Sequence, residues 1–260
     1  MTDLEERQSE STPWFLQGDY APVQNELTVT DLKVTGAIPP SLSGRYLRNG
    51  SNPKSGTAGH WFFGDGMVHG VYFRDGRASY IRKWVQTRAL HDEIERGKVE
   101  LSGIMGPYDL SRVAGHEVES MNPDYCKDTS NTTLNFHNGK VLSAWYNAGR
   151  VYTLDPLTLE TAGEQDFCGG LDTPMNAHGK TDPRTGEFIN YGYADFQPWL
   201  TYYVISADGK VRHRARIDLP GPRLPHDTTI TPNYTILHDF PLFHDLEVLQ
   251  RTGHRVVQFM

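Results

Sequence analysis

Residues 71–81 read VYFRDGRASYI, and the fold class follows from this stretch and its repetition along the chain. The segments on either side of Asp75-Gly76 are rich in β-branched and aromatic residues, which favour strands. Asp75 and Gly76 both tolerate positive φ, so the pair can close a tight primed turn. The stretch therefore predicts an antiparallel β-hairpin.

Two more segments have the same form, with predicted turns at Asn138-Gly139 and Asp208-Gly209. The 25 glycines and 16 prolines among 260 residues exceed the average share and suit a chain with many turns. Helical periodicity is confined to residues 89–96, which are too few and too polar to organise a core. The chain is therefore predicted to be all-β.

The domain organisation follows from a change in composition near residue 20. Residues 1–20 are mostly polar and acidic, so we expect a flexible N-terminal arm with an anchor at Trp14 and Phe15. Residues 21–260 are expected to form one β-domain. The turns do not follow a clean repeat of about 40–45 residues, so the sequence only hints at propeller blades.

Charge and hydropathy exclude several classes of function. Twenty-five basic and 32 acidic residues give a net charge of −7, and no run of Lys or Arg could follow a phosphate backbone, so nucleic acid is not expected as a partner. No apolar run approaches the roughly 20 residues of a membrane-spanning helix. The first residues lack the basic and apolar segments of a secretory signal, so a cytoplasmic protein is expected.

Two of the eleven histidines stand out because of their context. His178 and His226 both lie in turn-rich segments beside acidic and small residues, about one propeller blade apart. Equivalent positions on neighbouring blades could point at a common axis, and neutral imidazole suits iron, zinc or copper. The alternative is that each is an ordinary hydrogen-bonded histidine, which is more frequent, and spacing alone does not decide between the two.

A carboxylate pair offers a different chemistry. Asp182 and Glu187 could act as the general acid and base of a propeller glycosidase. The segment between them, with Asp followed by Pro and ending in Gly186, is also a typical β-turn sequence. The turn interpretation is favoured.

A series of motifs recurs in order along most of the chain. They are GRYLRNG at 44–50, NP at 52–53, HWFFGDGMVHG at 60–70, NT at 131–132, LDPLTLET at 154–161, NAHGKTDPRTGE at 176–187, and HD at 226–227 with IT at 230–231 and Tyr234. In these motifs the sequence resembles the carotenoid cleavage oxygenases, which include the lignostilbene dioxygenases and the retinal pigment epithelium isomerase. The resemblance runs from Pro22 to Phe243 and corresponds to about the N-terminal half of a family member.

This resemblance implies a seven-bladed β-propeller, here incomplete at its C-terminus, with an axial Fe(II) held by four histidines. His178 and His226 match the first two ligands, and the other two are expected beyond Met260. The implied reaction is dioxygenase cleavage: with O2, a C=C bond of a carotenoid, apocarotenoid or related apolar polyene gives two carbonyl products. The protein would supply ligation, orientation and a dry cavity.

Three positions depart from the family pattern. Tyr146 stands where members commonly have a Glu that hydrogen-bonds a ligand histidine, so we expect Tyr146 just outside the ligands. Trp145 stands where the lignostilbene branch tends to have a Lys, which disfavours a 4-hydroxystilbene substrate. Gly179 replaces the usual Pro after the first ligand and loosens the backbone.

Three functions remain open on the sequence. The first is an iron-dependent dioxygenase with a small apolar substrate. The second is a truncated, non-catalytic propeller fragment that lacks two of four iron ligands, and the chain by itself is expected to cleave such substrates more slowly than a complete homologue. The third is a propeller glycosidase. Peripheral membrane contact is compatible with the sequence, which sets no oligomeric state.

Overall fold

The fold was analysed in a computed structural model. The structure describes residues 12–99, 103, 126–146, 149–194, 197–252, 254 and 257–259. Two α-helices and 16 β-strands lie in this part of the chain. The helices are α1 (Arg88–Arg96) and α2 (Leu246–Thr252). The strands are β1 (Leu27–Val29), β2 (Gly44–Ser51), β3 (Gly66–Arg74), β4 (Arg77–Trp84), β5 (Thr133–His137), β6 (Lys140–Ala144), β7 (Val151–Leu154), β8 (Thr161–Gln165), β9 (Lys180–Thr181), β10 (Phe188–Tyr193), β11 (Leu200–Ile205), β12 (Val211–Arg216), β13 (Thr228–Ile230), β14 (Thr235–Leu237), β15 (Leu242–His244) and β16 (Val257–Phe259).

The strands form antiparallel sheets that follow one another along the chain. Sheet I has the order β1-β4-β3-β2, sheet II the order β5-β6-β7-β8, and sheet III the order β12-β11-β10-β9. Sheet IV pairs β13 with β14, and sheet V pairs β15 with β16. Strand β2 contacts β5, β5 contacts β9, and β9 contacts β13, so sheets I to IV are neighbours in chain order. The predicted all-β architecture of antiparallel four-stranded blades is confirmed.

All three predicted hairpins are present. Asp75-Gly76 and Asn138-Gly139 have positive φ at both residues, as a two-residue primed turn requires. The turn at Asp208-Gly209 is wider: Ser206 pairs with Lys210, and only Gly209 has positive φ. A register shift at Val204/Ile205 accompanies this wider loop, because an extra residue disturbs the ladder.

The core lies between successive sheets, and strand β6 shows why both faces of a blade are apolar. Successive side chains of a strand point to opposite faces. Val141 therefore packs with Val68 of sheet I, whereas Leu142 packs with Phe188 and Tyr203 of sheet III. Burying one such aliphatic side chain contributes roughly 1.5–3 kcal/mol. The central sheet is thus held by apolar contacts on both sides.

Helices are minor elements, as the sequence predicts. The Thr87 hydroxyl accepts a hydrogen bond from the Leu90 amide at the start of α1, and Gly97 ends this helix in the left-handed conformation. Helix α2 was not expected, because its seven residues are too few for a periodic pattern. No helix in the described ranges is both long and apolar enough to span a membrane.

The expected N-terminal arm is partly described. Residues 1–11 lie outside the described residues. The following residues form two short 3-10 turns, and the Trp14 ring packs edge-on against Trp61 at a centroid distance of 5.0 Å. The boundary near residue 20 stays a prediction.

Gly66 marks the closest approach of sheet I to the segment that leads into sheet II. Its amide donates a hydrogen bond to the Thr129 carbonyl at 2.8 Å. A Cβ atom at Gly66 would lie 2.5 Å from the Ser130 carbonyl oxygen, which is a backbone atom that cannot move independently. The glycine-rich stretch of residues 64–70 therefore serves backbone packing at this position.

Gly66→Ala should destabilise the protein. The added methyl group meets the backbone of Thr129 and Ser130, and such overpacking typically costs about 1–3 kcal/mol. Urea unfolding followed by circular dichroism measures the change in the free energy of unfolding. Gly50→Ala on the neighbouring strand is the control, because no atom lies within 4 Å of its Cβ position. Equal stabilities of the two variants would contradict the packing argument.

Asp128 organises the buried segment between sheets I and II. Its carboxylate accepts hydrogen bonds from the Ser130 amide at 3.0 Å and the Arg150 amide at 2.7 Å. Burial raises the pKa of Asp128 to about 6, although these two amides oppose the rise by stabilising the charged form. The folded protein therefore holds a proton on Asp128 at a pH where the unfolded chain has released it.

The contribution of Asp128 to stability should consequently fall as the pH rises from about 4 to about 6. Between the ordinary Asp pKa of 3.8 and the raised value of about 6, the folded state binds more protons than the unfolded state. At about 1.4 kcal/mol per pKa unit, Asp128 contributes a loss of about 3 kcal/mol across this window.

Asp128→Asn removes the titrating group, so its stability relative to wild type should be lowest near pH 4 and should recover as the pH rises. Urea unfolding at several pH values measures this difference. Asp31→Asn, at an exposed carboxylate, is the control and should retain the wild-type slope. A difference between wild type and Asp128→Asn that does not vary with pH would overturn the assignment.

Candidate metal centre

A cavity of about 1010 Å³ lies against sheet I and the segments that lead into sheets II, III and IV. Its exposed side carries aromatic rings, among them Tyr20, Trp61 and Phe62. His178 and His226 lie in its wall. The volume is in the range of small-molecule sites, which are typically concave and largely apolar with few polar groups.

His178 and His226 occupy equivalent places in successive sheets. His178 lies two residues before β9, and His226 lies two residues before β13. Because β9 and β13 contact each other, the two imidazole rings come together, with centroids 4.9 Å apart and an interplanar angle of 28°. The structure thus brings the two predicted ligands side by side in one cavity wall.

The two imidazoles differ in exposure. His226 is exposed toward the cavity, whereas His178 is half-buried. The Nε2 atom of His178 is buried and has no hydrogen-bond partner among the described residues. Burial lowers the pKa of His178, with nearby His226 and Lys180 acting in the same direction and Asp227 opposing them. A neutral imidazole with a free ring nitrogen is the form that binds a metal ion.

Tyr146 lies next to His226, on the side away from His178. The rings of Tyr146 and His226 have centroids 4.7 Å apart at 33°. Among the described residues no hydrogen bond joins the Tyr146 hydroxyl to either histidine, so the contact is between ring faces. The Tyr146 backbone is held on both sides, since its amide donates to the Thr132 hydroxyl and its carbonyl accepts from the Tyr193 hydroxyl.

Polar side chains connect the two histidine segments. The Asn176 side chain accepts a hydrogen bond from the His178 amide at 2.6 Å and donates one to the His226 carbonyl at 3.4 Å. The Lys180 ammonium donates to the His178 carbonyl at 2.9 Å and to the Asp227 carboxylate at 2.7 Å. The segments are therefore joined by one buried amide and one partly exposed ion pair.

Strand β10 supports these segments from the interior. The Asn190 amide group donates to the Asn176 carbonyl at 2.8 Å. The Tyr191 hydroxyl donates to the Pro225 carbonyl, next to His226, and the Tyr193 hydroxyl donates to the Tyr146 carbonyl. One strand thus holds the backbone at Tyr146, next to His226 and two residues before His178.

Asp227 directly follows His226, but its carboxylate is engaged with other groups. It accepts hydrogen bonds from Lys180 and from the Thr228 amide. Burial tends to raise the pKa of Asp227, yet these two hydrogen bonds outweigh it and the pKa is lowered. No group of three or more His, Cys, Asp or Glu side chains able to hold a metal ion occurs in the described part of the chain. The two imidazoles fit a metal as two donors.

The carboxylates of the glycosidase alternative lie in the turn between β9 and β10, as the turn interpretation predicts. Gly186 donates its amide to the Asp182 carbonyl and has positive φ. Each carboxylate has an arginine partner: Asp182 pairs with Arg184, and Glu187 pairs with Arg212. Neither carboxylate lines the cavity.

The departures at Trp145 and Gly179 have structural counterparts. Trp145 is buried in the cavity wall beside Tyr146, so a large apolar ring stands there. A Cβ atom at Gly179 would lie 2.5 Å from the Phe188 ring and 2.8 Å from the Asn190 side chain. Gly179 is therefore matched to Phe188, and the space that a larger residue would need is already filled.

Comparisons with known proteins agree with this architecture. The retinal pigment epithelial membrane protein family matches residues 20–260. Carotenoid 9,10(9',10')-cleavage dioxygenase 1 of Phaseolus vulgaris is 36% identical over 240 residues, which cover 88% of this chain and 44% of that protein. The crystal structure of Pseudomonas brassicacearum lignostilbene dioxygenase aligns with a TM-score of 0.79 at 30% identity, covering 97% of this chain and 52% of that one. Cobalt-substituted apocarotenoid oxygenase of Synechocystis aligns with a TM-score of 0.72 at 26% identity, covering 92% and 52%.

The fold and the paired histidines thus define a carotenoid oxygenase type of propeller. The chain belongs to the retinal pigment epithelial membrane protein family, whose curated relatives include carotenoid cleavage dioxygenases. The family resemblance noted in the sequence is confirmed. The chain spans about half the length of the curated relatives it matches.

Sequence reasoning missed the residues that hold the histidines in place. Asn176 carried a readable signal, because Asn side chains often hydrogen-bond the backbone two residues further on. Asn190, Tyr191 and Tyr193 carried none, since they read only as part of a strand. Their partners lie in other segments and became apparent only in the folded chain.

Gly179→Ala should destabilise the protein by about 1–3 kcal/mol, because the new methyl group meets the Phe188 ring. Shortening that ring should relieve the clash. In a double-mutant cycle, Gly179→Ala in a Phe188→Leu background is therefore expected to cost at least about 0.5 kcal/mol less than in wild type. Urea unfolding of the four proteins measures this coupling, and additive effects would show that Phe188 is not the obstacle.

Proposed function

We propose that the protein is a non-haem Fe(II)-dependent dioxygenase that cleaves a C=C bond of a carotenoid, apocarotenoid or related apolar polyene. In this proposal, His178 and His226 are two of the iron ligands. The observation that carries it is the pair of adjacent imidazoles in the wall of a large cavity, with the buried Nε2 atom of His178 lacking any protein partner among the described residues. Imidazole nitrogen is a suitable donor for iron.

The residues present divide the work of such an enzyme. His178 and His226 would hold the iron, and Tyr146 would limit the movement of the His226 ring by packing against it. A bound ferrous ion supplies the redox chemistry by which both atoms of dioxygen are added across a C=C bond to give two carbonyl products. The apolar cavity wall would orient the substrate and exclude water.

The proposed substrate is an apolar polyene because aromatic rings line the cavity from its exposed side to the histidines. Trp145 offers the cavity an apolar ring where an amine would be needed to engage a phenol. A 4-hydroxystilbene is therefore expected to be the poorer substrate. The cytoplasmic location expected from the sequence stays a prediction.

One observation favours a second candidate, a non-catalytic propeller that binds metal weakly or not at all. Within the described ranges no third His, Cys, Asp or Glu joins the two histidines in a metal-binding group. Two imidazole donors by themselves leave a metal ion loosely held. The experiment below separates this candidate from the dioxygenase.

The test is metal content and product formation in the chain purified without oxygen and reconstituted with Fe(II). The dioxygenase proposal predicts about one iron per chain, with oxygen uptake and two carbonyl products when an apocarotenal is added, at a lower rate than a complete homologue gives, and less uptake with 4-hydroxystilbene. His178→Ala and His226→Ala should each reduce iron affinity by more than the 10–100-fold that loss of an outer partner costs. His213→Ala, on the exposed face of β12, is the control and should retain iron.

The possible outcomes separate the proposals. Little or no bound iron, and no product, would support the non-catalytic candidate, whereas bound iron without product would overturn the proposed cleavage and leave the two ligands in place. Full iron binding in both histidine variants would show that the ligands are misassigned, even if the protein proved active.

A further inference from the structure

We propose that Asn176 is a positioning residue that sets the relative placement of His178 and His226. The inference rests on the proposed function insofar as it concerns a metal, and on the geometry of Asn176 for the rest. Asn176 is fully buried, directly between the two histidine segments. Its side chain has one hydrogen bond to each of them.

The first of these hydrogen bonds fixes the local turn. The Asn176 side-chain oxygen accepts from the His178 amide two residues later, at 2.6 Å. This closes a small ring in which the backbone entering His178 is held against rotation. The direction in which the His178 side chain leaves the backbone depends on that conformation.

The second hydrogen bond crosses between sheets III and IV. The Asn176 amide nitrogen donates to the His226 carbonyl at 3.4 Å, a longer and weaker bond than the first. It joins two segments that are distant in sequence but whose imidazole rings must converge on one metal ion. An amide side chain accepts on one side and donates on the other, whereas an ionised aspartate can only accept and leucine can do neither.

Asn176 is itself held by the core. Its backbone amide donates to the Tyr191 carbonyl at 2.8 Å, and its carbonyl accepts from Asn190 at 2.8 Å. The Asn176 backbone is therefore held to β10 by two hydrogen bonds that are independent of its side-chain contacts with the histidine segments. Through Asn176, sheet III therefore restrains both histidine segments.

The partly exposed Lys180–Asp227 ion pair joins the same two segments but cannot take over this role. Its side chains are 36% and 51% exposed, and ion pairs of this kind contribute about 0–1 kcal/mol. The pair also lies after the histidines in each segment, where β9 and β13 begin. The Asn176 side chain is buried, so water does not compete for its two hydrogen bonds.

The experiment compares three proteins with wild type. Asn176→Ala removes both side-chain hydrogen bonds. Asn176→Ser keeps an acceptor for the His178 amide but is too short to reach the His226 carbonyl. Asn52→Ala is the matched control, because Asn52 is also buried and also makes two hydrogen bonds through its side chain, both to Val23.

Two readouts are used, and only one of them needs a metal. Amide hydrogen exchange of the His178 segment reports on the turn and is expected to accelerate at least about tenfold in Asn176→Ala but not in Asn176→Ser or Asn52→Ala. Titration with Co(II), followed by its visible absorption, reports on the ligands. Affinity is expected to fall about 10–100-fold in Asn176→Ala, with a changed spectrum, and by an intermediate amount in Asn176→Ser.

The results distinguish this inference from the proposed function. If wild type binds Co(II) tightly and all three variants match it in affinity and spectrum, the positioning role is wrong while the metal site stands. If wild type binds no Co(II), the proposed function fails and the metal-positioning role fails with it. An unchanged exchange rate in Asn176→Ala overturns the inference whatever the metal does. Equal losses in Asn176→Ala and Asn52→Ala would mark a general loss of stability and would likewise overturn it.

Discussion

Water is excluded from the spaces between successive sheets, and the rest of the structure depends on this constraint. Both faces of sheet II are covered, so the segments that pass between sheets cannot use water to satisfy their backbone groups. In the segment of residues 128–131, buried polar groups have protein partners instead. Asn49 and Ser143 both donate to the Ser130 carbonyl, and Asn131 donates to the carbonyls of Phe62 and Gly64.

A side chain that accepts a hydrogen bond from a nearby backbone amide is found where the chain enters sheet II and again where it enters sheet III. Asp128 accepts a hydrogen bond from the amide two residues further on, just before β5, and Asn176 does so just before β9. In each case a buried acidic or amide side chain replaces water at the edge of a sheet. At the second place the donating amide belongs to His178, so the candidate metal centre uses the same hydrogen-bonding arrangement as the segment that leads into sheet II.

This origin explains why the site is rigid on its inner side and open on its outer side. Strand β10 holds the backbone of three site segments through Asn190, Tyr191 and Tyr193, all of which are buried. The outer wall is formed by exposed aromatic rings such as Trp61 and Phe62. The pair of histidines therefore faces a cavity whose outer side carries exposed aromatic rings.

The sequence by itself determined what is local. Asp75-Gly76 and Asn138-Gly139 specify their turns because both residue types tolerate positive φ, and short apolar or alternating stretches between turns specify strands. The resemblance also identified His178 and His226, although spacing alone left them open. Only the tertiary structure decided that the two rings lie 4.9 Å apart, that Gly179 faces Phe188, and that Asn176 joins both histidine segments. The physical reason is that these contacts join positions on different strands and sheets, and their distances depend on how the strands and sheets pack, which no local pattern encodes.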